Sequence, residues 1–136
     1  MAIQAKLTID GGSVYNILEC TYDFRQSVDE MGKPISRPQG GTITFVTPTT
    51  SDDDLFFYKW MFNKTEVQSG TFSFNVFSND NKPYFKTVEF KNAYCIGVKD
   101  IFNNTDSKLM YTTVTISAQI INIGRIDQAV FNNEWT

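Results

Sequence analysis

Apolar and polar residues alternate along most of this chain, with the period of two that marks half-buried β-strands. Ile3, Ala5, Leu7 and Ile9 are apolar, while Gln4, Lys6 and Thr8 between them are polar. Asp10-Gly11-Gly12 supplies a turn, and a second strand predicted over about 14–28 puts Leu18, Cys20, Tyr22 and Phe24 on one face. Ile43 and Phe45 belong to a third strand that Pro48 ends. Phe72, Phe74 and Val76 alternate with Thr71, Ser73 and Asn75, and the turn cluster Asn79-Asp80-Asn81-Lys82-Pro83 leads into Tyr84, Lys86, Val88 and Phe90. Tyr94, Ile96 and Val98 share the next face, and a loop is predicted at Asn103-Asn104-Thr105-Asp106. The longest strand comes last. Thr112, Val114, Ile116, Ala118 and Ile120 face one way, and Thr113, Thr115, Ser117 and Gln119 the other.

One stretch breaks the alternation. Ser51-Asp52-Asp53-Asp54 precedes Leu-Phe-Phe-Tyr-Lys-Trp-Met-Phe, with Leu55, Tyr58, Lys59 and Phe62 at helical spacing. This predicts a helix over 52–62, with Ser51 as N-cap and three carboxylates at the positive end of its dipole. One face of the helix is expected to cover the sheet, leaving Phe56 and Trp60 available to a partner. About seven strands and one helix make a mainly β fold: an antiparallel β-barrel, or two packed sheets, with one short flanking helix.

Residues 29–41 fit neither period. Asp29, Glu30, Met31, Gly32, Lys33 and Pro34 open a loop that ends at Gly40 and Gly41, far longer than a tight hairpin needs. None of its residues suggests acid–base, nucleophilic or metal chemistry, so it reads as an arm that touches another molecule. A tail over 122–136 carries Ile126, Val130, Phe131 and Trp135, which points to packing on its own barrel or on a neighbour.

Composition narrows the function. The 136 residues suit one domain over 1–136, and 41% hydrophobic and 15% aromatic content suits a real core. A net charge of −3, with no basic run longer than two residues, argues against nucleic acid. Histidine is absent, which removes the commonest general base and metal ligand, so no catalysis, metal or cofactor is expected. Cys20 and Cys95 match no zinc or redox spacing; free buried thiols are expected, with a disulfide as the alternative. No apolar run is long enough for membrane insertion, and the N-terminal residues do not read as a signal peptide. Asp52–Asp54 read as a helix start and Asn79–Asn81 as a turn, in preference to metal sites. The face Thr113, Thr115, Ser117 and Gln119 is uncharged and hydroxyl-rich, either an ordinary solvated face or a smooth wall lining a channel.

Taken in order, several segments resemble the Hcp (TssD) family of type VI secretion systems in its Bacteroidetes form. They are Ala5–Gly11, Cys20 with Tyr22, Gln26–Asp29 leading into Gly32-Lys33-Pro34, Gly40-Gly41-Thr42-Ile43, Leu55-Phe56, Trp60-Met61, Asn92–Cys95, Thr115–Ala118 and Asn133-Glu134-Trp135. The resemblance implies a β-barrel subunit of homohexameric rings that stack into a tube. A contractile sheath would expel that tube with its spike and effectors, after cytoplasmic assembly and without a cleavable signal. It places the arm at the family's extended loop, gives subunit contacts to the arm, the helix and Trp135, and suits the hydroxyl-rich face to a lumen. Three alternatives differ in class. One is a phage-type tail tube. Another is a ligand-binding β-sandwich with Tyr15, Tyr58, Trp60 and Trp135 as an aromatic platform. The third is an enzyme built on a pair such as Asp23 and Glu89.

Overall fold

Strand-forming residues at every second position give eight strands and one helix in a computed structural model that describes residues 4–77, 79–104 and 109–135. Ile3, part of the loop predicted at 103–106, and Thr136 lie outside the described residues. The elements are β1 (Gln4–Ile9), β2 (Val14–Asn16), β3 (Glu19–Tyr22), β4 (Thr42–Pro48), α1 (Phe56–Phe62), β5 (Gln68–Phe77), β6 (Pro83–Asn103), β7 (Leu109–Ile123) and β8 (Ala129–Asn132). They form one antiparallel sheet in the order β2-β1-β5-β6-β7-β4-β3, with β8 paired to β7 beyond the end of β4.

The sheet curls until its margins meet. The strand predicted over 14–28 is divided, because the chain changes partner between Ile17 and Leu18. Ile17 N–H donates to Ala5 O at 2.9 Å, on the β1 side, and Leu18 N–H donates to Val46 O at 2.8 Å, on the β4 side. Thr47 Oγ1 donates to Asn16 O at 2.7 Å across the same seam. Both margins of the sheet are therefore halves of one segment. The barrel form of the expected fold is the one adopted.

Inside lie Leu7, Ile9, Ile43, Phe45, Phe72, Val88, Phe90, Val114 and Ile116, the inward set of the sequence pattern. The pattern fails at two places. In β7 it holds through Ala118, but Ile121 rather than Ile120 is fully buried; opposite, in β6, Asn92 takes a φ of 54° and Ala93 points inward. Two residues, not one, separate inward side chains on both strands here, so the ladder bends without losing register. Farther along β6 a bulge between Cys95 and Gly97 leaves Ile96 outside the ladder and 52% exposed. Tyr94, Ile96 and Val98 thus do not share a buried face; Ala93 and Cys95 are the inward residues.

The helix is shorter than its sequence signals suggest. It begins at Phe56, and its first turn holds no acidic residue. Ser51–Asp54 instead forms a turn, with Asp54 N–H donating to Ser51 O at 3.0 Å. Asp54 takes the capping role: its Oδ1 accepts from Phe56 N–H at 3.1 Å while Oδ2 accepts from Tyr15 Oη–H at 3.0 Å. The tie to Tyr15 holds residues 52–54 outside the helix.

Trp60 is the principal correction to the predicted contacts. Its side chain is 0% exposed, and its Nε1–H donates to Ala93 O at 3.2 Å. Phe57 is buried beside it and Phe56 is half-buried against both, so these three aromatics pack on the barrel, while Phe62 at the helix end is 83% exposed. Trp60→Ala should therefore lower folding stability by about 3–5 kcal/mol, as for other buried aromatics. A urea titration checks this; a loss of assembly with an unchanged midpoint would return Trp60 to the surface.

Candidate assembly surface

The β3–β4 connection is a twisted ribbon rather than an open loop. Arg25 and Gln39 exchange both backbone hydrogen bonds, at 2.8 and 2.6 Å, and Val28 bridges to Pro34. At the tip, Asp29 Oδ1 accepts from Met31 N–H at 2.9 Å and Lys33 N–H at 3.0 Å. Asp29 N–H donates to Lys33 O at 2.9 Å, and Gly32, at a φ of 83°, donates to Asp29 O at 3.0 Å. Asp29 and Gly32 therefore build the turn. Glu30, Lys33 and Pro34 stand in solvent, and Met31 is 93% exposed. Val28 and Ile35 are also exposed; Ile35 lies within the predicted arm, and Val28 just ahead of it was not among the predicted contacts. Their signal was available: apolar side chains in a ribbon too far from the core to join it.

Gly40 and Gly41 form the root of the arm, which differs from a contact role. A Cβ on Gly40 would lie 2.6 Å from the Phe24 ring. Gly41 is buried at a φ of 96°, where a Cβ would lie 2.9 Å from Ala118 O. Both glycines let the ribbon leave the sheet at close quarters.

Beyond that root β8 occupies the flank of β7 that β4 has vacated, with Asn133 N–H donating to Gln119 O at 2.7 Å. Phe131 packs on Phe24 with ring centroids 5.1 Å apart, and Glu134 pairs with Arg37. Between arm root and β8 lies a cleft of about 380 Å³ lined by Phe24, Pro38, Ile121, Ile123, Val130 and Phe131, with Arg37 and Glu134 at its edge. Sequence reasoning missed this cleft, because its two walls lie about a hundred residues apart in the chain. Trp135 is half-turned to solvent and packs on Tyr94, centroids 5.4 Å apart.

Thr113, Thr115 and Ser117 do share one face, opposite the buried Thr112, Val114, Ile116 and Ala118. Their ladder partners extend it in part: Thr44 faces Thr115, Thr42 faces Ser117 and Thr21 lies beyond Thr44, while Thr113 faces Val46 and Lys99 and Ser117 also faces Tyr94. Thr44 and Thr115 hydroxyls hydrogen-bond at 3.3 Å, and Gln119 Oε1 accepts from Asn92 Nδ2–H at 2.9 Å. The other predicted polar face, Thr71, Ser73 and Asn75, is interrupted by Lys6 and Glu89 through its pairings and is not uniform.

The residues of the competing readings are otherwise engaged. Asp23 binds Arg25 Nε at 2.8 Å, and Glu89 accepts from Asn122 Nδ2–H at 2.9 Å. Tyr15 and Trp60 are buried, and Tyr58 Oη–H donates to Asp100 at 2.6 Å, so the four aromatics form no platform. Cys20 and Cys95 are free thiols. Burial pushes Cys20 up to about 12 and Cys95 to about 11, the latter against a Gly97 backbone hydrogen bond that lowers it. Tyr15 rises to about 12, through burial first and its bond to Asp54 second.

The model of the hemolysin coregulated protein Hcp (TssD) family matches residues 1–136. Hcp1 from Flavobacterium johnsoniae is similar at 28% identity, with a TM-score of 0.77 over 96% of this chain and 99% of that one. Hcp1 from Salmonella typhimurium has the same fold at 13% identity, TM-score 0.71, over 97% and 95% of the two chains. A chain of the anti-feeding prophage baseplate shares the fold at 11% identity, TM-score 0.53, over 92% and 93%. No curated protein sequence matches significantly. The chain belongs to the Hcp (TssD) family and is a structural subunit of the type VI secretion tube.

The raised thiol and phenol pKa values set an alkaline limit. The neutral forms of Cys20, Cys95 and Tyr15 are favoured in the folded state, so the unfolded chain loses its protons first. Stability should be complete below the ordinary thiol value of 9.0 and fall as pH climbs towards about 12. Urea midpoints measured across that window check the sign; a midpoint that rises with pH would contradict it.

Proposed function

We propose that this subunit closes with its copies into hexameric rings that stack into a hollow tube, with the arm 29–41 making contacts between subunits. The observation that carries the reading is the arm tip. Four hydrogen bonds hold the turn, yet they present Met31 to solvent. A turn fixed in advance loses little entropy on docking, which suits a contact element better than a surface loop. The free edge of β8 supports the same reading, since cyclic closure can cover an edge that would otherwise invite open-ended pairing.

The Thr21, Thr42, Thr44, Thr113, Thr115 and Ser117 face suits the lumen. Its hydroxyls, with Thr44 and Thr115 hydrogen-bonded to each other, offer a passing cargo a mostly polar wall, with Lys99 and Val46 beside Thr113 at one end. Effectors would travel within the tube, with the spike at its tip and the contractile sheath around it, and assembly would precede export. The subunit has no catalytic part in this process. Trp135, resting on Tyr94, the β6 ladder partner of Ser117, would border that lining.

Deletion of residues 31–37 tests the arm directly. The variant should remain a folded monomer, with the melting behaviour of the parent barrel, and form no rings or tubes. Light scattering behind size exclusion, followed by negative-stain microscopy, reads the outcome. Tubes from the deletion variant would remove the arm from assembly.

A further inference from the structure

We infer that the arm tip of one copy seats Met31 in the cleft at the arm root of the next copy. This rests on the ring reading above and names the receiving site. The cleft is walled by Phe24, Ile123, Val130 and Phe131, with Arg37 and Glu134 at its edge. It is apolar and open although Phe131 already packs on Phe24, so the chain's own side chains do not fill it. A copy's arm begins at its own cleft and leads away from it, which makes the natural occupant a second copy.

The chemistry of the two surfaces matches. Met31 is an unbranched, adaptable side chain suited to an irregular apolar cavity, and Val28 and Ile35 flank it as further exposed apolar groups. Glu30 and Lys33 stand on either side of Met31, one anion and one cation. The cleft edge carries one cation and one anion, Arg37 and Glu134. Those two pair with each other in the single chain and can exchange partners with Lys33 and Glu30 when the tip enters. The contact joins two different patches, so it is heterologous: repeated around an axis it closes a ring, and every copy both gives and receives an arm.

Paired cysteines test the assignment. Met31→Cys and Val130→Cys in one chain, both at exposed positions, should yield on mild oxidation a ladder of disulfide-linked species on non-reducing gels. Either substitution alone should give none. The natural thiol Cys95 is buried and Cys20 half-buried, and the single-substitution controls carry both. Separately, Met31→Asp should abolish assembly in light scattering while leaving the urea midpoint unchanged.

Assemblies that persist in Met31→Asp, or form in the double variant without the ladder, would overturn the seating and leave the ring reading standing. A ladder from Met31→Cys with Phe102→Cys instead would move the tip to the exposed β6–β7 end and overturn the cleft as its receptor. A parent protein that stays monomeric at every concentration would overturn both readings.

Discussion

The Ile17–Leu18 step holds the two margins of the sheet together. One amide bonds to Ala5 and the next to Val46, so two successive peptide units link β1 and β4, which lie near opposite ends of the sheet order. Everything inside depends on that seam. With it in place, Phe45, Phe72 and Phe90 form a chain of ring contacts at 5.3 and 5.5 Å and are withdrawn from water. Without it, the same side chains would line an open trough. Burying each contributes about 1.5–3 kcal/mol, so the seam gains its force from the core it encloses. The helix then needs only to cover one opening, which it does with Phe57 and Trp60.

Much of this was legible in the sequence, and the failures have physical causes. The period of two named Leu7, Ile43, Phe45, Phe72, Val88 and Val114 as inward because each strand meets the core on one side only. It misassigned Ile120 and Ile96 where the ladder bends or bulges, since those features depend on how neighbouring strands twist together. The helix start was misplaced for a similar reason. Ser51 and three aspartates are good local signals, but Asp54 is claimed by Tyr15, thirty-nine residues away. Local propensity yielded to a long-range hydrogen bond.

The assembly surface divides in the same way. The arm announced itself, because prolines, glycines and an exposed Met cannot be reconciled with either period. Within it, only geometry separates Asp29 and Gly32, which build the turn, from Met31, which the turn displays. Gly40 and Gly41 looked like more of the same loop and prove to be its fixing point. The cleft had no sequence signature, because Phe24 and Phe131 are brought together only after β8 has taken the flank of β7. The hydroxyl-rich face was visible on β7 alone; its extension through Thr44 and Thr21 required the register.

The arm also has a mechanical character. Its two legs run out of β3 and β4, so a pull on the tip is carried into those strands. Such a pull is borne by the hydrogen bonds of the β3–β4 and β4–β7 ladders. Phe131 and Glu134 brace the root against sideways bending. The ribbon is thus anchored in the barrel wall, and with the proposed contacts in place a thrust on one subunit would pass through that anchor to its neighbours.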